Sequence, residues 1–183
     1  MSVATRTVLP TGTWTVDPAH TNIEFSVKHL GIATVRGSFN EFEGSFEVGE
    51  DGRARARGTV NAASIDTNED KRDAHLRSED FFHVEVHPEL SFESTEVRPQ
   101  EEDSFLVYGD LTMRGVTRPV VLEAELQGTE IDPWGNERVA LEARGELSRG
   151  DWGMTFNQAL GSGNMLVSDK VKLTLDISAI KQS

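Results

Sequence analysis

MLVSDKVKLTLDISA, residues 165–179, puts Met165, Val167, Val171, Leu173, Leu175 and Ile177 on one parity. Ser168, Lys170, Lys172, Thr174, Asp176 and Ser178 fall on the other. Successive side chains of an extended strand point to opposite sheet faces, so this period of two gives a strand with one dry and one wet face. Asp169 is the one charge on the dry parity. The rhythm recurs in Ile23, Phe25 and Val27, and in Phe105, Val107, Leu111 and Met113 with Gly109 in phase. It returns in Val120, Leu122, Ala124 and Leu126, and in Val139, Leu141, Ala143 and Leu147. So many half-buried antiparallel strands in one chain must close into a barrel or stack as a sandwich.

Working outward, a short strand is expected at 13–16, closed by Asp17-Pro18, with longer strands at 20–29, 54–66, 89–97, 104–114, 117–127 and 137–149. Over 34–48 the parity switches: Val35 and Phe39 are odd, Phe42, Phe46 and Val48 even. One inserted residue explains that, and predicts a bulge or bend near Asn40-Glu41. Alternation stops at 67–82. There Thr67 and Asp70 have the spacing of a capping box, and a short helix follows with Ala74, Leu76, Phe81 and Phe82 turned inward. Pro88 blocks its continuation. The Gly-rich stretch 150–164 is long enough for a functional loop, and its Trp152, Met154, Phe156 and Leu160 suit a lid over a cavity mouth or a wall element.

At 183 residues the chain reads as a single domain, 1–183, with residues 1–11 a flexible start. Its net charge of −13 disfavours a nucleic-acid partner, and an anionic membrane surface unless a local basic patch exists. The absence of cysteine excludes disulfides and thiolate chemistry. No apolar run approaches a membrane span or a signal peptide, so no integral membrane association and a cytoplasmic location are expected.

The inward set mixes Phe25, Phe39, Phe92, Leu111, Met113, Leu122, Leu173 and Leu175 with Thr21, Ala56, Gly58, Gly109, Ala124, Ala143 and Gly145. Small residues on that face fit a hollow barrel, or a solid core in which they merely let strands curve. His83 and His87 have the spacing of a helical zinc pair, but Pro88 and the lack of a spaced third ligand argue for no metal site. No two of the 31 acids stand out as a catalytic pair. Asp66, Arg72, Asp73, His75, Arg77 and Asp80 read as a salt-bridged helix across the barrel's end, with a headgroup site as the alternative. Trp134, in Asp-Pro-Trp-Gly-Asn, marks a hairpin turn.

TWTVDPAHTNIEFSVKHLGIATVRGSFNEFEGSF (13–46) resembles the opening of the YceI family of lipocalin-like, polyisoprenoid-binding proteins, and SIDTNEDKRDAHLRSEDFFHVEVHPELSF (64–92) its central signature. YGDLTMRGVTRPVVL, SRGDWGM and VSDKVKLTLDI resemble its later blocks in order. The resemblance implies an all-β, lipocalin-like eight-stranded antiparallel barrel with a short helix between strands and an internal hydrophobic cavity. It implies a bound lipid or isoprenoid rather than a cofactor, and a homodimer; many relatives are periplasmic. The expected function is non-enzymatic binding, transport or storage of an amphipathic lipid, polyisoprenoid or isoprenoid-quinone-like. An enzyme acting on such a lipid and a protein-binding module without one are the alternatives. The expected ligand-binding residues are Phe25, Val27, Phe39, Phe42, Phe92, Leu111, Met113, Leu122, Trp152, Met154, Phe156, Leu173 and Leu175.

Overall fold

A computed structural model describes residues 9–162 and 165–182. The strands in chain order are β1 (Gly12–Val16), β2 (Asn22–His29), β3 (Ala33–Phe39), β4 (Phe42–Val48), β5 (Ala54–Asn61) and β6 (Ile65–Asp66). The helix α1 (Asp70–Arg77) precedes β7 (Glu89–Pro99), β8 (Ser104–Met113), β9 (Val116–Ile131), β10 (Glu137–Ser148) and β11 (Val167–Lys181). All pairings are antiparallel, and β11 pairs along one edge with both β1 and β2, closing the sheet on itself. β1 with β2, and β3 with β4, are halves of two interrupted strands, so the barrel has eight staves with β6 added on the edge of β3.

Both interruptions have local causes. At the first, Pro18 lacks the N–H a strand needs, and Pro18–His20 form a 3₁₀ turn capped by the Asp17 side chain. Thr21 rejoins the ladder with its hydroxyl, which donates to the Ser178 carbonyl and accepts from the Ser178 N–H. At the second, the parity switch is a corner: the Asn40 N–H donates to the Ser64 carbonyl and the Asn61 N–H to the Glu41 carbonyl. The chain thus bends between β3 and β4, and Phe39 and Phe42 both face inward.

The helix begins differently from the sequence expectation. Glu69 is its cap, accepting from the Lys71 and Arg72 N–H groups. The Thr67 hydroxyl instead donates to Asp73, whose same oxygen also accepts the Thr67 N–H, and Arg72 grips Thr67 from the other side. Asp73 is therefore the buried helix residue, while Ala74 is exposed. Satisfying three polar groups at one point outweighs burying one methyl. Arg77 ties the helix down by donating to the Ala63 and Ile65 carbonyls.

Packed clusters lie at both ends. Trp14, Phe46, Val48, Val139 and Ala179 fill the end that holds the chain termini. Leu9 packs on this cluster and the Pro10 carbonyl accepts the Trp14 indole N–H; residues 1–8 of the expected flexible start lie outside the described residues. Phe39, Ile65, Leu90, Met113, Leu147 and Trp152 belong to the cluster at the helix end.

Candidate functional site

Between the two clusters the barrel is hollow. Phe25, Val27, Leu111, Leu173 and Leu175 sit on the inner face yet are only half-buried, which a filled core would not allow. They surround a cavity of about 340 Å³. Its wall comes from nearly every stave, with Leu76, Phe81 and Phe82 closing it from the helix segment.

The wall stays open because some large side chains lie flat along it. A Cβ on Gly109 would come 2.4 Å from Phe92 Cζ, and one on Gly145 2.6 Å from Leu122 Cδ2. The register explains both contacts, since Ser94 pairs with Gly109 two residues from Phe92, and Leu122 leans toward β10 from the adjacent β9. Of the two readings the small inward residues allowed, these two glycines therefore do not fit the one in which they themselves leave empty volume. They are roofed by Phe92 and Leu122, and the volume lies beyond those side chains.

Eleven of the thirteen expected residues line the cavity: Phe25, Val27, Phe39, Phe42, Phe92, Leu111, Met113, Leu122, Met154, Leu173 and Leu175. Trp152 and Phe156 do not. Trp152 is 2% exposed and spends its indole N–H on the Leu111 carbonyl at 2.9 Å, which draws it into the end cluster. Phe156 lies outside, edge-on to His75 and Phe81 at 4.8 and 5.5 Å between ring centres. The start of the expected lid is thus a packed wall: Arg149–Trp152 form a 3₁₀ turn and Met154 is buried. Gly163 and Asn164, at the far end of that stretch, lie outside the described residues.

Arg149 organises this wall and was missed, although it continues the inward parity of Val139, Leu141, Ala143 and Leu147. It is buried, lines the cavity, and donates to the Met154, Ser168 and Val167 carbonyls at 2.6, 2.9 and 3.3 Å. Burial holds its pKa below the usual guanidinium value, opposed by the nearby Asp169 carboxylate. A register irregularity between Val167 and Val171 accompanies an exposed Asp169, whose carboxylate accepts the Gly150 N–H, so the odd charge of the last strand faces away from the lumen.

The mixed-charge cluster of the helix segment resolves into anchoring contacts, with His75 bonded to Asp80 and Arg77 to backbone. The His83 and His87 rings lie 5.9 Å apart, and His83 occupies a turn with φ of 50° rather than a helix. Among the described residues no three His, Cys, Asp or Glu side chains converge as metal ligands. At the opposite end Arg138 bridges Asp17 and Asp132 at 2.9 and 2.8 Å. Its hydrogen bond, helped by His20, holds Asp17 down at about 2. Burial pushes the Asp132 pKa up, but Arg138, Asn136 and the Trp134 N–H together prevail and leave it also at about 2.

A profile of the YceI-like domain matches residues 14–179. UPF0312 proteins from Pectobacterium carotovorum and Photorhabdus laumondii are each 41% identical over 165 residues, spanning 89% of this chain and 82% of the relative. The YCEI protein of Campylobacter jejuni superposes with a TM-score of 0.72 at 25% identity, covering 85% of this chain and 90% of its own. A polyisoprenoid binding domain from Saccharophagus degradans shares the fold at 13% identity, with a TM-score of 0.68 over 92% of this chain and 98% of that one.

Proposed function

We propose that this chain, which belongs to the YceI-like domain family, binds and carries amphipathic lipids whose long apolar tails lie in the lumen. The observation that carries the reading is the cavity of about 340 Å³ held open between two packed ends and walled by phenylalanine, leucine, valine and methionine side chains. That volume falls at the lower end of about 300–1,000 Å³ for small-molecule sites. Each buried methylene contributes about 0.8 kcal/mol, so ten give about 8 kcal/mol, the scale of a micromolar Kd before ordering costs. Such a wall supplies burial and dispersion, the means of a carrier rather than of acid–base chemistry. The Saccharophagus degradans neighbour is a polyisoprenoid binding domain, which supports polyisoprenoid as one tail class, and fatty-acyl and isoprenoid-quinone tails meet the same physical requirement.

Native mass spectrometry of freshly purified protein, followed by lipid extraction, should reveal a one-to-one lipid adduct. Delipidated protein should bind a fluorescent acyl or prenyl probe saturably in vesicle-free solution, and Leu173→Trp should weaken that binding by filling the lumen. Protein free of lipid that takes up neither probe would overturn the reading.

A further inference from the structure

Each end of the barrel holds an arginine, and the two are neutralised differently. Arg138, with its side chain 22% exposed, bridges the carboxylates of Asp17 and Asp132. Arg149, at the helix end, is only 6% exposed, and its three hydrogen bonds all go to neutral backbone carbonyls. Its guanidinium carbon also lies 5.8 Å from the centre of the Phe81 ring. Among the described residues Asp169 supplies the opposing charge, yet it makes no ion pair with Arg149, is exposed and accepts the Gly150 N–H. An arginine stays protonated when buried, so this charge is not shed as a lysine's could be.

The charge belongs to the lumen. Glu43, Arg55, Arg57 and Arg149 are the charged residues of the cavity wall; the first three are exposed and only Arg149 is buried. Phe81, Met154 and Val167, which it touches, line the same cavity. A guanidinium has five N–H donors, so the three bonds leave one on each terminal nitrogen. Taking a cation out of water without a counter-charge is costly, and neutral carbonyls offset only part of that cost. A carboxylate or phosphate oxygen in the lumen would accept the remaining N–H groups in short, charge-assisted bonds. Beyond Arg149 the wall continues down β10 through Leu147, Ala143 and Leu141. Leu147 to Leu141 alone span about 20 Å of strand, which gives a tail its track.

We propose that Arg149 selects the ligand's head: the lumen takes amphiphiles with an anionic headgroup, a carboxylate or a phosphate, held at the guanidinium with the tail laid along β10 toward the Trp14 end. The inference rests on the lumen reading and adds the class of head. It also accounts for the contrast between the two arginines. The fold itself neutralises Arg138 with two aspartates, whereas the counter-charge of the more deeply buried Arg149 arrives with the ligand.

The test sets palmitate, palmityl phosphate and palmityl alcohol, which share one tail, to compete with a fluorescent acyl probe on the delipidated full chain in vesicle-free solution. Wild-type protein should bind the acid and the phosphate about tenfold or more tighter than the alcohol, a difference of about 1.4 kcal/mol. Acetate and inorganic phosphate, which carry the charge without the tail, should not compete at palmitate's concentrations. Arg149→Met should bring the acid to within about twofold of the alcohol, since only the tail's burial then remains. Melting curves check that this variant folds, because Arg149 also ties down three carbonyls. Whether or not it folds, Arg55→Gln with Arg57→Gln removes the other two cations of the wall, both exposed, and should leave the preference intact. Equal binding of acid and alcohol by wild-type protein would overturn the proposal. So would a preference undiminished in folded Arg149→Met, a preference lost with Arg55 and Arg57, or competition by the free anions. The failures are distinguishable: probe and all three lipids bound alike defeat the head assignment alone, whereas no uptake of any defeats the lumen reading.

Discussion

Adding one methyl group at Gly145 or at Gly109 should separate two ways in which the wall can respond. Neither glycine has a left-handed φ, so alanine fits either backbone, and its lower unfolded-state entropy stabilises by about 0.4–1 kcal/mol. At Gly145 the new Cβ would lie 2.6 Å from Leu122 Cδ2, the far end of a flexible side chain, and 3.4 Å from the Val121 carbonyl, an ordinary contact. Leu122 can swing into the lumen at an off-rotamer cost of about 0.5–1.5 kcal/mol, so net stability should change by less than about 1 kcal/mol. At Gly109 the Cβ would meet Phe92 at 2.4 Å and also the Glu93 carbonyl oxygen at 2.7 Å. Backbone must then move, and the cost should be about 1–3 kcal/mol. Both variants push a side chain into the cavity. Displacing one or two methylenes of ligand at about 0.8 kcal/mol each should weaken tail binding by about 4- to 15-fold. Urea denaturation and probe titration measure the two quantities. Equal destabilisation of the variants, or unchanged affinity in both, would refute the account of side chains roofing glycines.

Three further outcomes follow from the same geometry. Arg77→Ala and Phe81→Ala should each lower Tm, the first by loosening the helix from the Ala63 and Ile65 carbonyls, the second by opening a void. Affinity per folded molecule should hold for Arg77→Ala, and a large loss there would make the segment a headgroup site. Asp17 and Asp132 have folded pKa values of about 2, below the ordinary aspartate value of 3.8, so their contribution is complete above about pH 4 and lost as pH falls through 2. Tm should therefore fall across that window in wild-type protein and fall less in Arg138→Met, which removes the shared partner; parallel curves would contradict the coupling. Amides of Trp152–Met154 should exchange slowly with or without lipid, because Arg149 and the Leu111 carbonyl pin them. Marked slowing on lipid addition would restore a lid.

Much of the fold was legible because a strand's period of two is a local property. Val167 to Ile177 declared their two faces without reference to any neighbour, and ten of the expected inner residues, all on strands, converge on one cavity for that reason. The parity switch between Phe39 and Phe42 likewise announced a corner, since continuous pleating cannot carry both inward. Parity assigns a face and says nothing of radius. Whether Phe92 points across the lumen or lies flat over Gly109 depends on the stagger of β7 against β8, a relation between segments distant in sequence. The stretch 150–164 has no period at all, so its composition was compatible with lid or wall. Trp152 went to the wall because the Leu111 carbonyl was there to accept its indole N–H. Thr67 and Asp70 had the spacing of a cap, but Asp73 and Arg72 claimed Thr67 once the helix docked, leaving Glu69 to cap. Within the regular strands, sequence alone determined most of the residues that face inward. Tertiary structure decided how far in they reach, because hollow space is set by the closure of eight staves and the ends that plug them.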